Sequence, residues 1–238
     1  MRRVGRALLV VVLLSALAAT ASGQPSRSAA CIRPTDRATP VSFRAADGAR
    51  LAGTVLGKGA TGVVFAHQVG GDRCQWLPFA RELAKKTYRA LVFDMRGYGS
   101  SSGIANTNPH LDVTAAAAEL RRRGGKRIVL IGASMGGTGV VAAAPRIRPA
   151  INGVVELSAP TAFGSADALA AAKRLTSPAL FVVGHDDGDF AAATRALYKA
   201  AATRNKELRV VASSWHGVDL LAIPSVRKLV LGFLQRVS

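Results

Sequence analysis

Aromatic residues are scarce in this chain of 238 residues, at 5%, with two Trp, three Tyr and eight Phe. Without aromatic side chains among the basic ones there is no platform for stacking bases. The surplus of 32 Lys and Arg over 14 Asp and Glu is therefore not a nucleic-acid signature, and no specific nucleic-acid partner is expected. Cysteine is nearly missing as well. Cys31 and Cys74 are the only two, which excludes a disulfide-dense scaffold, and no Cys/His group has the spacing of a metal site. Neither a metal nor an organic cofactor is expected.

What is present begins with Arg2, Arg3 and Arg6, an apolar run from Ala7 to Leu14, and small residues through Ala21. These are the three regions of a secretory signal peptide, read here as residues 1–23, with cleavage after Ala21 or Gly23. The apolar part is shorter than the roughly 20 residues of a spanning helix. A retained anchor is the alternative. Lipidation at Cys31 lacks the leucine usual three residues earlier. Residues 24–40 are polar, with three prolines, and read as a surface leader before a single domain over 41–238. An oxidising, extracytoplasmic location, secreted or in the cell envelope, permits Cys31 and Cys74 to pair and tie the leader to the body. The net charge of +18 stays strongly positive after loss of the three leading arginines. It allows loose association with an anionic membrane or cell-wall polymer. The densest cluster, Arg121 to Arg123 with Lys126 and Arg127, reads as a helix end and solvated face.

The organising stretch is Ile128 to Gly137, an apolar strand that ends in Gly-Ala-Ser-Met-Gly and runs into small residues suited to a helix. A serine hydroxyl is a weak nucleophile until a base reaches its proton, and a sharp strand-to-helix turn lifts it into reach. Gly132 and Gly136 remove side chains where the turn draws two backbones together. Ser134 is the candidate nucleophile.

Around it, short apolar runs alternate with longer amphipathic ones. Strands are predicted at 41–44, 51–56, 62–66, 90–94, 151–157, 179–183 and 208–211, besides the one that ends at the serine. Helices are predicted at 76–86, 111–123, 166–173, 190–202 and 225–237, besides the one after the serine. Strands apolar on both faces and separated by helices imply a doubly wound, mostly parallel sheet with an antiparallel hairpin at its start. Ligands of such sheets sit beyond the carboxyl ends of the strands.

Two later loops fall at that edge. One holds His185, Asp186, Asp187 and Asp189; the other holds Trp215 and His216. His216 is placed to take the serine proton and return it to a leaving group, with an aspartate of the earlier loop fixing its tautomer. Asp186, Asp187 and Asp189 all remain open on this ground.

With these pieces in order, the chain resembles the α/β-hydrolases of the compact esterase, lipase and dienelactone-hydrolase-like group. The resemblance covers residue 41 to the end, through FAHQVGGDRCQW, FDMRGYGSSSG, IGASMGG, VVGHDDGDF and SWHG. It implies Asp187 as the acid, three residues past the glycine that ends its strand. It also implies an oxyanion hole from the backbone N–H groups of Met135 and Gln68, although His67-Gln68 stands where many relatives carry His-Gly. His67, and Asp94, Arg96, Tyr98 and Gly99, are read as loop architecture, and Trp76 as core. Only about 20 residues separate the strands at 151–157 and 179–183, so no cap domain is expected. The implied activity is ester hydrolysis of a small-molecule substrate. Peptidase and thioesterase chemistry share the same machinery, and a non-catalytic envelope-binding protein on the same scaffold is the rival class. Nothing in the sequence speaks to oligomeric state.

Overall fold

The computed structural model describes residues 30–238. The signal peptide expected at 1–23 and the first part of the leader lie outside the described residues. β1 (Thr39–Arg44) and β2 (Arg50–Leu56) form the expected hairpin, with Gly48 at φ 89° in its turn, a backbone region that glycine enters freely. β3 (Thr61–Ala66) leads to a 3₁₀ turn at Arg73–Trp76 and α1 (Leu77–Ala84), with Pro78 in the first helical turn. β4 (Tyr88–Asp94), α2 (Pro109–Arg122), β5 (Arg127–Ala133) and α3 (Met135–Ala143) follow.

Next come β6 (Gly153–Leu157), a hairpin of two-residue strands β7 (Ala162–Phe163) and β8 (Ala166–Asp167), and α4 (Ala168–Ala172). β9 (Ala179–Gly184), α5 (Gly188–Ala200), β10 (Lys206–Val211), a 3₁₀ turn at Gly217–Ala222 and α6 (Pro224–Val237) complete the chain. The strand order is β1-β2-β4-β3-β5-β6-β9-β10. Contacts of β2 with β1 and β4 are antiparallel and the rest parallel.

Successive residues of a strand face opposite sides, and here both sides are apolar. Val63, Phe65, Val92, Ile131 and Val182 meet Leu77, Leu83, Val230 and Phe233 of α1 and α6. Val64, Leu91, Phe93, Leu130 and Phe181 meet Val113, Leu120, Val141 and Leu197 of α2, α3 and α5. Trp76 is fully buried, as expected of a core residue. Between β6 and β9 the chain holds only the β7–β8 hairpin and α4, so no cap domain covers the sheet edge among the described residues.

The described part of the leader is fastened to the body. Cys31 and Cys74 form a disulfide across a sequence separation of 43. Asp36 receives both Arg81 Nε (2.7 Å) and an Arg81 terminal nitrogen (2.8 Å), and that guanidinium holds the Asp36 carboxyl below its usual range. Arg81 also donates to the Cys31 carbonyl at 2.9 Å. Closing a loop of this length stabilises by about 3–4 kcal/mol on chain-entropy grounds. Cys31→Ser is therefore expected to lower the urea midpoint with the fold retained; an unchanged midpoint would show that the bridge adds nothing.

The basic cluster ends α2 with Arg122, Lys126 and Arg127 exposed, as expected, and its arginines also make specific contacts. Arg121 donates to the carbonyls of Arg148 and Pro149, at 3.1 and 2.6 Å, fastening α2 to the loop before β6. Arg122 and Arg123 both pair with Glu119.

Candidate active site

The elbow forms for steric reasons that can be read atom by atom. Ser134 stands between β5 and α3 at φ 50° and ψ −117°, outside the regions open to most L-residues. A Cβ at Gly132 would collide with the Gly136 carbonyl, and one at Gly136 with the carbonyls of Ala66 and His67. Both glycines are therefore required by backbone approach. The Ser134 N–H donates to Leu157 O at 2.8 Å, and the Ser134 carbonyl accepts from the Thr138 N–H at 2.9 Å, so both sides of the turn are fixed.

The start of α3 thus lies against the chain that leads into the loop after β3. Met135 opens the helix, where an N–H has no intrahelical acceptor. Neither its N–H nor that of Gln68 has an acceptor among the described residues. Gln68 contributes in a second way that sequence reasoning missed. Its side-chain Oε1 accepts from the Val218 N–H at 3.1 Å, fastening the loop after β3 to the loop that carries His216. Gly217 at φ 58° permits this, since a Cβ there would strike Gln68 Oε1.

His67 is fully buried, with Nδ1 at 2.8 Å from Gln68 O and Nε2 accepting from the Met95 N–H at 2.9 Å. Both ring nitrogens are committed and burial lowers its pKa, so this ring is neutral and braces the loop. Asp94 is buried under two bonds from the Arg73 guanidinium and the N–H groups of Arg73 and Ser100. Burial opposes its ionisation, but these donors outweigh it and hold its pKa below the usual value. Arg96 pairs with buried Asp112 and with Asp47, bracing the next part of that turn, while a Gly99 Cβ would strike the Asp94 carboxylate.

The three aspartates after β9 separate by geometry. Asp187 is 7% exposed, and both its oxygens lie 3.0 Å from His216 Nδ1. Asp186 is exposed and pairs with exposed His185 at 2.7 Å; Asp189 is also exposed. A carboxylate only accepts, so Nδ1 carries the proton and Nε2 keeps its lone pair. The Phe190 ring covers His216 with centroids 4.2 Å apart, a contact without a sequence signal. Ser134, Asp187 and His216 follow β5, β9 and β10 at the carboxyl edge of the parallel strands, with β6 between the first two and β9 beside β10.

Glu156 is the other residue that sequence reasoning missed. It is fully buried on β6, accepting from the Ala159 N–H and the Thr194 hydroxyl, with its second oxygen unpartnered among the described residues. Burial, with Asp187 nearby, pushes its pKa from 4.5 up to about 8. Between those values the folded chain holds a proton that the unfolded chain has released, so stability falls as pH rises through the window. The accumulated cost is on the order of 4–5 kcal/mol by pH 8. Glu156→Gln is expected to melt above the parent protein by a margin that widens from pH 5 to pH 8. A constant margin would contradict the assignment.

Large exposed apolar side chains are rare. Val69, Ile104 and Trp215, exposed by 47, 77 and 49%, lie in the loops after β3, β4 and β10, around the edge that bears Ser134.

The family model described as alpha/beta hydrolase fold matches residues 62–209. Among curated proteins, the uncharacterised protein YfhR of Escherichia coli O157:H7 is 31% identical over 117 residues, covering 44% of this chain and 41% of that protein. The chain thus spans about two fifths of the length of such relatives. Among solved structures, the Pyrococcus furiosus esterase Pf2001 superposes with a TM-score of 0.75 at 20% identity, covering 85% of this chain and 93% of that one. The enol-lactonase from Burkholderia xenovorans gives 0.66 at 20% identity, covering 81% and 99%. Together with the sheet order and the elbow turn, the match over more than half of its length shows that this chain belongs to the α/β-hydrolase fold family.

Proposed function

We propose that this chain is an extracytoplasmic serine hydrolase that cleaves carboxylic esters through an acyl-enzyme. The observation that carries the reading is Asp187 seated on His216 Nδ1, which leaves Nε2 as a base at the sheet edge that bears the elbow serine. In this mechanism Ser134 Oγ attacks the ester carbonyl carbon while His216 Nε2 takes its proton. The tetrahedral oxyanion is received by the N–H groups of Gln68 and Met135. His216 then returns the proton to the leaving alcohol, and water enters by the reverse sequence to release the acid. Two donors aimed at the developing charge matter because losing one costs about 3–4 kcal/mol of transition-state stabilisation.

Ester chemistry is further supported by the esterase and lactonase among similar folds and by the apolar rim of Val69, Ile104 and Trp215, which suits an uncharged substrate. With no cap among the described residues to enclose a long chain, short acyl groups are favoured. The disulfide is consistent with an oxidising compartment. Among the described residues, no helix is long and apolar enough to cross a membrane.

Purified protein is expected to hydrolyse p-nitrophenyl acetate and butyrate faster than the palmitate. Hydrolysis of none of them by folded protein would overturn the assignment, and faster cleavage of the palmitate would overturn the open-site account of specificity.

A further inference from the structure

A cluster of exposed basic side chains lines a cavity away from the proposed catalytic edge. β2 runs antiparallel to β4, with Leu56 opposite Ala90, so the chain leaves β2 at the amino edge of the parallel strands, opposite Ser134. A cleft of about 480 Å³ opens there, between residues 33–39 of the leader, the end of β2 and the end of α1. Its walls carry Arg33, Arg37, Lys58, Arg81 and Lys85 against one acid, Asp36, which is occupied by Arg81. The other four cations have no carboxylate within ion-pair distance among the described residues, and all four are exposed. A second cavity of about 450 Å³ continues along β1 and β2, and Arg33 and Arg37 line both.

We propose that this double cleft binds a linear phosphate polymer and so holds the enzyme on an anionic matrix. Four features support it. The leader wall is fixed in place by the Cys31–Cys74 bridge and the Asp36–Arg81 pair, so the cleft exists before a ligand arrives. Arg37 lines both cavities and stands at φ 46°, at the end of the 3₁₀ turn Pro34–Asp36, with its N–H donating to the Pro34 carbonyl. Arginine matches phosphate with paired donors, and lysine supplies a point charge. Two cavities joined by shared arginines suit an elongated occupant with repeating charge better than a single small anion.

Other anionic partners fit less well. Among the described residues no aromatic side chain lines either cavity, so nucleic-acid bases find nothing there on which to stack. Among the described residues the exposed large apolar side chains lie at the other edge of the sheet, so this cleft adds no apolar wedge to its charge, as an interfacial membrane site would.

The test is binding of the full mature protein to immobilised inorganic polyphosphate at physiological ionic strength, with orthophosphate as competitor. One variant carries Arg33→Gln, Arg37→Gln, Lys58→Gln and Lys85→Gln. A control loses the same charge at exposed positions on the α4–α5 side, through Lys173→Gln, Arg195→Gln, Lys199→Gln and Arg204→Gln. The proposal predicts affinity about tenfold or more weaker and a shallower salt dependence in the cleft variant alone. It also predicts no competition by orthophosphate at equal total phosphate, and melting temperatures near the parent value in both variants. Equal weakening in the two variants would reduce the effect to net charge and overturn the site. Absence of binding by the parent protein, or full competition by orthophosphate, would overturn the polymer. No catalytic readout enters, so these outcomes are independent of the ester-hydrolysis assignment.

Discussion

Ser134→Ala is expected to lower kcat for p-nitrophenyl acetate by about 10⁴-fold or more while leaving the melting temperature within a few degrees of the parent value. The loss is large because the proposed mechanism has a single atom, Oγ, able to form the acyl bond, and its removal leaves only oxyanion stabilisation of a direct attack by water. The fold is expected to survive. The elbow is fixed through the Ser134 N–H and carbonyl and through the two flanking glycines, none of which the substitution touches. Alanine at φ 50° adds no atom that serine did not have. A variant that keeps a tenth or more of the activity would place the nucleophile elsewhere.

Asp187→Asn is expected to reduce kcat by a similar factor, about 10⁴, with KM changed little. The carboxylate oxygens, each 3.0 Å from His216 Nδ1, impose the tautomer with the proton on Nδ1. An amide can turn its NH₂ toward Nδ1, which then accepts, and the proton moves to Nε2 where a base is needed. Asp186→Asn supplies the comparison, because Asp186 is exposed and faces His185, and activity near the parent value is expected. If the two substitutions had equal effects, the choice among the three aspartates would be wrong. The measurement is kcat and KM for the two variants side by side.

Which parts were legible in the sequence follows from how far each interaction reaches. The sheet was legible because β3, β4, β5 and β9 are buried on both faces and so read as unbroken apolar runs; the spans of β3, β4 and β9 agree with expectation at one end and differ by one or two residues at the other. The elbow was legible because its residues are contiguous, a serine between two glycines that cannot carry a Cβ, even though the clash at Gly136 is with the distant carbonyls of Ala66 and His67. The β7–β8 hairpin was not, since two-residue strands have no period to detect. Nor was the 3₁₀ turn at Gly217–Ala222, or that at Arg73–Trp76 which delays α1 to Leu77.

The remaining misses are long-range. Gln68 and Val218 are 150 residues apart, and Asp36 and Arg81 are 45 apart, so no local pattern marks either contact. Arg121 reads as one of a run of surface arginines until the carbonyls of the loop before β6 are placed beside it. Glu156 sits in an apolar run, Val-Val-Glu-Leu, where alternation alone says that the side chain faces inward. Its partners on the next loop and on α5 appear only once the chain is folded.

The most direct test of the central claim is covalent labelling by a fluorophosphonate, read as intact mass and mapped to a peptide. The account predicts one adduct per chain, located on the peptide with Ser134, absent in Ser134→Ala and slowed in His216→Ala. A folded protein that takes up no probe, or that is labelled equally well without Ser134, would contradict it.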